Sequence, residues 1–448
     1  MRVLLISANQ LTVPCPVFPL GLDYVAGALE AHHEVRVIDL CGVDDLAVIG
    51  EVAGSFEPDL VGISLRNIDN TESTDSRWFV DDYREAMAHV RVATRAPVVL
   101  GGAGFSVCPD GLLDYLGADF GIIGEGERLL DLVDCLERGE DPRGLSGLIV
   151  PGSKVMVPGP LDDRSGCSSL GTVSLDYYVA NGGILNLQTK RGCPYRCVYC
   201  TYPGIEGHEL RRFSPDEVGR RARSLQDAGA RFLFMTDATF NCDPSHNLAV
   251  ARALRGAGVE TPWGAFFSPL PMPDGYYEEL AQAGLTHVEF GTEAMSDPVL
   301  AAYRKPFRVK QVFEAHQQAL DAGLWVAHYF MLGGPGESPG TLEETLTNAD
   351  ALEHTVCFFF CGVRIYPNTP LHRIAIEEGQ VGEGASLLRP FFYQSELLQG
   401  LDPEEEVLRR AGGRINWIVG AGGQRTERLM QMMYARGHSG PLWEKLIR

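Results

Sequence analysis

Between residues 190 and 200 the chain reads Lys190-Arg191-Gly192-Cys193-Pro194-Tyr195-Arg196-Cys197-Val198-Tyr199-Cys200, a C-x3-C-x2-C run. Three thiolates so spaced can hold three irons of a cubane and leave the fourth iron open to an exchangeable ligand. The competing chemistry is a structural zinc site, which closes with a fourth Cys or His, and His208 is near enough in sequence to supply it. The chain has 11 cysteines. That odd number, in a chain opening on Met1-Arg2-Val3-Leu4-Leu5-Ile6 without the pattern of a secretory signal, favours metal or redox use over disulfides. Cys15, Cys41, Cys108, Cys135, Cys167 and Cys242 have no close partner in sequence and read as small buried hydrophobes. Cys357 and Cys361 repeat a C-x3-C spacing around Phe358-Phe359-Phe360, which reads as core packing on a strand. No cysteine follows Cys361, so one cluster is expected.

The elements that must position this run are periodic. From residue 1 to 140, buried runs at Val3–Ile6, Val35–Ile38, Leu60–Ile63, Val98–Leu100 and Phe120–Ile123 alternate with amphipathic segments such as Gly21–Ala31 and Trp78–Arg95. This predicts five parallel strands in a doubly wound α/β sheet. Ligands of such sheets sit beyond the carboxyl ends of the strands. The loops there, Ala8–Pro19, Leu65–Arg77, Gly101–Cys108 and Gly124–Glu127, hold the Gly, Asn, Ser and Arg residues a large polar ligand would use. Residues 141–183 are rich in Gly, Pro and Ser and read as a linker with a hairpin around Leu148–Val157. From 184 to 374, strands are expected at Ile184–Thr189, Phe232–Thr236, Trp263–Phe267, His287–Gly291, Trp325–Leu332 and Val356–Ile365. Six βα units make a partial (β/α)6 barrel. Residues 375–448 turn helical and polar. Asp243-Pro244 and Ser338-Pro339 read as helix starts.

The chain has 448 residues, enough for two or three domains, with 45% hydrophobic and 22% charged residues, which excludes a disordered scaffold and a fibrous repeat. Lys+Arg total 38 against Asp+Glu 59, a formal charge of −21 that repels phosphate backbones and anionic bilayers. Nucleic acid is therefore not expected as the main partner. No apolar stretch reaches the ~18 residues of a transmembrane segment, and a cytoplasmic location is expected.

The cysteine run resembles the cluster motif of the radical S-adenosylmethionine enzymes, where an aromatic residue precedes the third cysteine as Tyr199 does here. The resemblance implies that Cys193, Cys197 and Cys200 bind a [4Fe-4S] cluster whose unique iron is chelated by the amino and carboxylate groups of S-adenosylmethionine. The reduced cluster then passes one electron to the sulfonium and releases a 5′-deoxyadenosyl radical. Further segments look like cosubstrate contacts of that family. Met235-Thr236-Asp237 resembles the segment that receives the methionine amino group, with Asp237 suited to a cationic amine beside Thr236. Glu289-Phe290-Gly291-Thr292-Glu293 is similar to the ribose-contacting segment, and Leu332-Gly333-Gly334-Pro335-Gly336-Glu337 to the adenine segment, where Gly334 allows close backbone approach. Two strand residues are candidates for catalysis. His328, if it points into the barrel, can donate a proton or touch substrate. Arg364 can meet a carboxylate or phosphate, or pair with a nearby acid.

An α/β domain ahead of such a barrel resembles the cobalamin-binding subfamily of these enzymes. Ser64-Leu65-Arg66-Asn67, Gly101-Gly102-Ala103-Gly104-Phe105-Ser106 and Gly121-Ile122-Ile123-Gly124-Glu125 look like its cofactor loops. The resemblance implies that Arg66 and Asn67 reach the corrin, while Gly101, Gly102, Gly104, Ser106, Gly124 and Glu125 line its tail. The loop Asn9–Pro19 lacks the D-x-H-x-x-G sequence that supplies a lower-face histidine to cobalt in methionine-synthase-like domains. Without that donor, the lower position is expected to be empty or water-filled.

Together the two resemblances imply a cobalamin-dependent radical S-adenosylmethionine C-methyltransferase acting on an unactivated carbon of a small metabolite, lipid or peptide. The alternative is a radical dehydratase, epimerase or ring-forming enzyme with a vestigial or non-methylating cobalamin domain. Either needs an external one-electron reductant such as a flavodoxin or ferredoxin.

Overall fold

The computed structural model of the protein describes residues 1–13, 15–153, 158–159, 161 and 173–447. The outer part of the hairpin expected at Leu148–Val157, and Cys167, lie outside them.

Five parallel strands, β1 (Arg2–Ser7), β2 (Glu34–Asp39), β3 (Leu60–Ser64), β4 (Val98–Gly101) and β5 (Phe120–Ile122), form a sheet in the order β2-β1-β3-β4-β5, and β6 (Leu148–Ile149) adds an antiparallel edge beyond β5. Period-2 alternation divides the apolar residues between the two faces. Leu4, Ile6, Ile63 and Leu100 pack with the helices Ala47–Phe56 and Val80–Ala93 on one side. Val3, Leu5, Leu60 and Val99 pack with Leu20–Glu30 and Leu129–Glu137 on the other.

The second sheet starts with β7 (Ile184–Leu187). A short ribbon, β8 (Lys190–Arg191) and β9 (Arg211–Arg212), brackets the cysteine run. The sheet continues through β10 (Phe232–Met235), β11 (Trp263–Phe267), β12 (Leu285–Glu293), β13 (Trp325–Leu332) and β14 (Thr355–Cys361). β15 (Val363–Arg364) pairs with β16 (Phe392–Tyr393), and β17 (Trp417–Val419) returns to pair parallel with β14. The order is β17-β14-β13-β12-β11-β10-β7, so the six expected strands are joined by a seventh from the C-terminal segment. That segment is otherwise mainly helical, at Pro403–Ala411 and Gly423–Ala435. Asp243 and Ser338 cap their helices as expected, accepting from the His246 and Thr341 amides.

The two sheets share a core. Phe18, Leu20 and Tyr24 from the first domain pack with Val218, Ala222 and Leu225 of the barrel helix Pro215–Asp227. Arg221 of that helix donates to the buried Asp23 at 2.9 Å. The loop after β3 ties down the other side: Asp69 accepts from Arg364 at 2.8 Å, and Ser73 donates to the Cys361 carbonyl. Among the described residues no helix is long and apolar enough to cross a membrane.

Candidate functional site

The cysteine run leaves the carboxyl end of β7 and is shaped by its neighbours. Gly192 enters it at φ 90°, and a Cβ there would overlap the Glu209 carbonyl oxygen, so only glycine fits. The Cys193 amide donates to the Gly207 carbonyl, and the Val198 amide to the Tyr303 carbonyl. All three thiols are free; Cys193 is buried and the other two half-buried. Burial, with Cys197 and Cys193 alongside, pushes the Cys200 thiol up to about 12. The set of ligand atoms that converges within 4.8 Å among the described residues is His33, Asp134 and Glu137, so the three sulfurs stand farther apart than one tetrahedral ion allows. A cubane takes each thiolate at a separate iron and so does not require that convergence. His208 Nδ1 lies 3.1 Å from the Cys193 carbonyl oxygen, and among the described residues His208 belongs to no group of three ligand atoms within 4.8 Å of one another.

A cation stands beside the thiols. Lys305 Nζ donates to Glu293 Oε1 and to the Tyr199 hydroxyl, both at 3.2 Å, and Tyr199 donates to the same Glu293 oxygen at 2.8 Å. Burial opposes the Lys305 charge, but Glu293 and the thiols of Cys197 and Cys200 outweigh it and its pKa is raised. Glu293 is held at φ 63°, at the register shift that ends β12. Sequence reasoning missed Lys305, which lies in a loop far from the cysteines in sequence.

Several predicted contacts turn out to be internal braces. Asp237 accepts from the Thr189 amide (2.7 Å) and hydroxyl (2.6 Å), from the Lys190 amide (3.3 Å) and from Lys190 Nζ (2.6 Å). Four donors from the chain itself occupy this buried carboxylate, and it fixes the β7–β8 turn rather than facing a cosubstrate amine. Thr236 lines the cavity described below. Arg364 is likewise committed, to Asp69 and to the carbonyls of Ile365 and Leu387. His328 points out of the barrel into the helix layer. His316 Nε2 donates to the Glu353 carbonyl, which leaves its Nδ1 to accept from His328 Nε2, while His328 Nδ1 accepts from Thr292. Gly334 packs on Tyr303, whose hydroxyl a Cβ would overlap. Gly291 precedes the bulge at Glu293, and Glu289 sits four residues back along β12, about 13 Å below the strand end.

On the first domain, the carboxyl ends of β1, β3, β4 and β5 open on a cavity of about 540 Å³ whose far wall is the barrel's short helix Tyr202–Glu206 with Thr201 before it. Gly101, Gly102, Gly104 and Gly124 line it, and a Cβ at Gly101 would meet nothing closer than a carbonyl at 4.0 Å. Gly102 and Gly104 instead lie against the backbone of Leu65 and Asn67, which seats the β3 loop. Ser106 is outside this lining. It donates to the Gly102 carbonyl and accepts from the Gly124 amide, joining the β4 and β5 loops. Arg66 and Asn67 face the cavity, and among the described residues no carboxylate pairs with Arg66, whose pKa burial lowers. No histidine is among the described lining residues. Glu125 touches the cavity, but its carboxylate accepts from Arg191 at 2.8 Å, from Arg211 and from the Leu161 amide at 2.7 Å. Glu127 takes the other Arg191 nitrogen at 2.6 Å.

A glycine-floored cavity facing a three-thiol loop coincides with what comparison finds. Residues 6–134 match the family model of the B12 binding domain, and residues 187–349 match that of the Radical SAM superfamily. The chain belongs to the cobalamin-binding radical S-adenosylmethionine enzymes. The cofactors of this family are a [4Fe-4S] cluster, S-adenosylmethionine and cobalamin. The chain is 28% identical to a tryptophan 2-C-methyltransferase of Streptomyces laurentii over 84% of its own length and 74% of the relative's. It is 24% identical to a hopanoid C-3 methylase of Methylococcus capsulatus, covering 69% and 60%. The fold superposes on the radical S-adenosylmethionine methyltransferase TsrM from Kitasatospora setae, solved with cobalamin and a [4Fe-4S] cluster, with a TM-score of 0.84 at 24% identity and coverage of 99% and 97%. It superposes on the cobalamin-dependent enzyme OxsB at 0.71, with 16% identity and coverage of 89% and 64%.

Proposed function

We propose that this protein is a cobalamin-dependent radical S-adenosylmethionine C-methyltransferase acting on a small molecule, with residues 1 to about 150 as the cobalamin domain and 184 onward as the radical barrel. The observation that carries the reading is the shared cavity. The glycines of the β4 and β5 loops and the barrel residues just past Cys200 line the same space, which brings the cysteine run to the edge of the first domain's cavity. The two relatives named above are, by name, carbon methylases.

In this reading Cys193, Cys197 and Cys200 hold the cluster. Thr236, Gly291, Glu293 and Gly334 form the cosubstrate rim at the ends of β10, β12 and β13. Arg66, Asn67, Gly101, Gly102, Gly104 and Gly124 hold cobalamin. Bound together, these groups supply one-electron cleavage of a sulfonium and a transferable methyl group. The chain's own part is positioning and exclusion. Arg66 would offer a cation to the rim of a bound corrin, and the described lining residues include no histidine that would serve as a donor to its cobalt. Arg191 with Glu125 and Glu127, all three buried, forms part of the cavity wall. A wall of this kind reduces the access of water and stray hydrogen donors to a radical substrate.

The reductant is an external flavodoxin or ferredoxin, in a cytoplasmic setting. The test is anaerobic: reconstitute with iron, sulfide and hydroxocobalamin, then follow methyl label from S-adenosylmethionine into product. About one cobalamin per cluster, base-off, with labelled product supports the reading. One deoxyadenosine per unmethylated product would overturn it in favour of a dehydratase, epimerase or ring-forming enzyme.

A further inference from the structure

The barrel interior is floored. Its bottom is closed by the segment after residue 439: Gly440 lies against Phe232, and Trp443 stands 5.0 Å from the His287 ring, packed with Ala327, Val356 and Ile418. Above that floor the inward positions of β10, β11, β13 and β14 are Phe234, Phe266, Tyr329 and Phe358. Phe234 and Phe266 meet edge to face at 5.1 Å, Phe266 and Tyr329 at 5.9 Å, and Tyr329 stacks on Phe358 at 4.8 Å. These rings do not bury one another: Phe266 keeps 42% of its surface accessible although it points inward. Asn186, the register partner of Phe234, lines the interdomain cavity, so the aromatic layer borders that space.

One charge is set in this layer. Glu289, level with Phe266 and Ala327, accepts from the Tyr329 hydroxyl at 2.9 Å and from the Trp443 indole at 3.1 Å. Both donors are neutral. Neither Lys nor Arg pairs with it among the described residues, and the His287 ring is turned to Glu444 at 3.4 Å. Burial raises its pKa, the signature of a carboxylate lacking a counter-charge. Its two donors leave acceptor positions unfilled. A carboxylate ringed by aromatic faces is the chemistry that recognises an organic ammonium.

We propose that Phe266, Tyr329, Phe358 and Glu289 form the substrate's binding site, and that the substrate is an amine whose cationic nitrogen meets Glu289 while its planar, mainly apolar body lies among the rings. The inference rests on the methyltransferase reading for the word substrate; the binding site stands without it.

The test measures equilibrium binding to the reconstituted protein, with cluster and cobalamin present and no reductant, so that no turnover is needed. The probes are tryptamine and indole-3-acetate, which share a ring and differ in charge. Tryptamine is expected to bind roughly tenfold or more tightly than indole-3-acetate. Glu289→Gln, which keeps an oxygen for the Trp443 indole and turns its amide N–H to the Tyr329 hydroxyl, removes the preference. Phe266→Ala weakens both probes by about tenfold and keeps their ratio. Unchanged visible and circular-dichroism spectra show the variants folded and loaded. Equal binding of the two probes, binding of neither, or a preference that survives Glu289→Gln overturns the proposal. Methyl transfer without this selectivity sinks the site and spares the function; selective binding without methyl transfer does the reverse.

Discussion

Arg191, two residues ahead of the first cysteine of the run, donates at 2.8 Å to Glu125 on the β5 loop of the other domain, and both side chains are buried. One guanidinium thereby sets the distance between the glycine-floored cavity and the thiol loop, with its second nitrogen on Glu127 at 2.6 Å. Removing one partner leaves the other charge buried and uncompensated. Arg191→Leu is expected to lower unfolding free energy by about 3–5 kcal/mol, read by denaturant titration, and to cut iron and cobalamin content together. Glu125 has its carboxyl held below the usual range, because the Arg191 and Arg211 hydrogen bonds outweigh burial. Its contribution is therefore present above about pH 4.3 and is lost as pH falls through its lower native value. Glu125→Gln should flatten that acid limb.

Gly192 offers a narrower test. Its φ of 90° and the Glu209 carbonyl facing it exclude any side chain. Gly192→Ala should cost about 1–3 kcal/mol and leave the first domain's cobalamin binding intact while iron per chain falls, measured on the same sample.

Lys305 places a positive charge against the loop that carries Cys197 and Cys200. Lys305→Met is expected to make the bound cluster harder to reduce, moving its potential negative by roughly 50–100 mV in a redox titration followed by electron paramagnetic resonance. An unchanged potential would mean that the Glu293 carboxylate already cancels the ammonium.

His316 and His328 form a buried chain that needs both rings neutral. Burial lowers His316 to about 4 and holds His328 well below its ordinary range, His316 adding to the latter effect. The unfolded chain takes protons near pH 6.5 and the folded one does not, so stability falls with acid from about 6.5 downward, by about 1.4 kcal/mol per pH unit for each histidine. Paired His316→Leu and His328→Leu changes should flatten the profile between pH 6.5 and 4.5 in urea titrations.

Strand positions were legible in the sequence because fully buried parallel strands are continuous Val, Ile, Leu and Phe runs. β17 was not: three residues between polar helices carry no period. At the site, residue type and place in the run were legible, and the partner of each polar group was not. Asp237, Glu125 and Arg364 stand at strand ends where ligand contacts are expected, but Lys190, Arg191 and Asp69, from other segments, occupy them. His328 needed strand parity: Trp325, Ala327 and Tyr329 face the interior, so residue 328 faces out. The same parity sends Glu289 inward, to a depth its neighbours in sequence do not reveal.

The floor under that depth has a consequence for biogenesis. β17 and Trp443 leave the ribosome after every cofactor-bearing loop, so until then β14 is an open edge and Glu289 lacks one of its two donors. A nascent chain halted before residue 417 exposes an aromatic pit and an unpaired strand. Such a chain presents the exposed apolar surface and free strand edge that chaperones recognise, and the pit closes only once translation has passed the last strand.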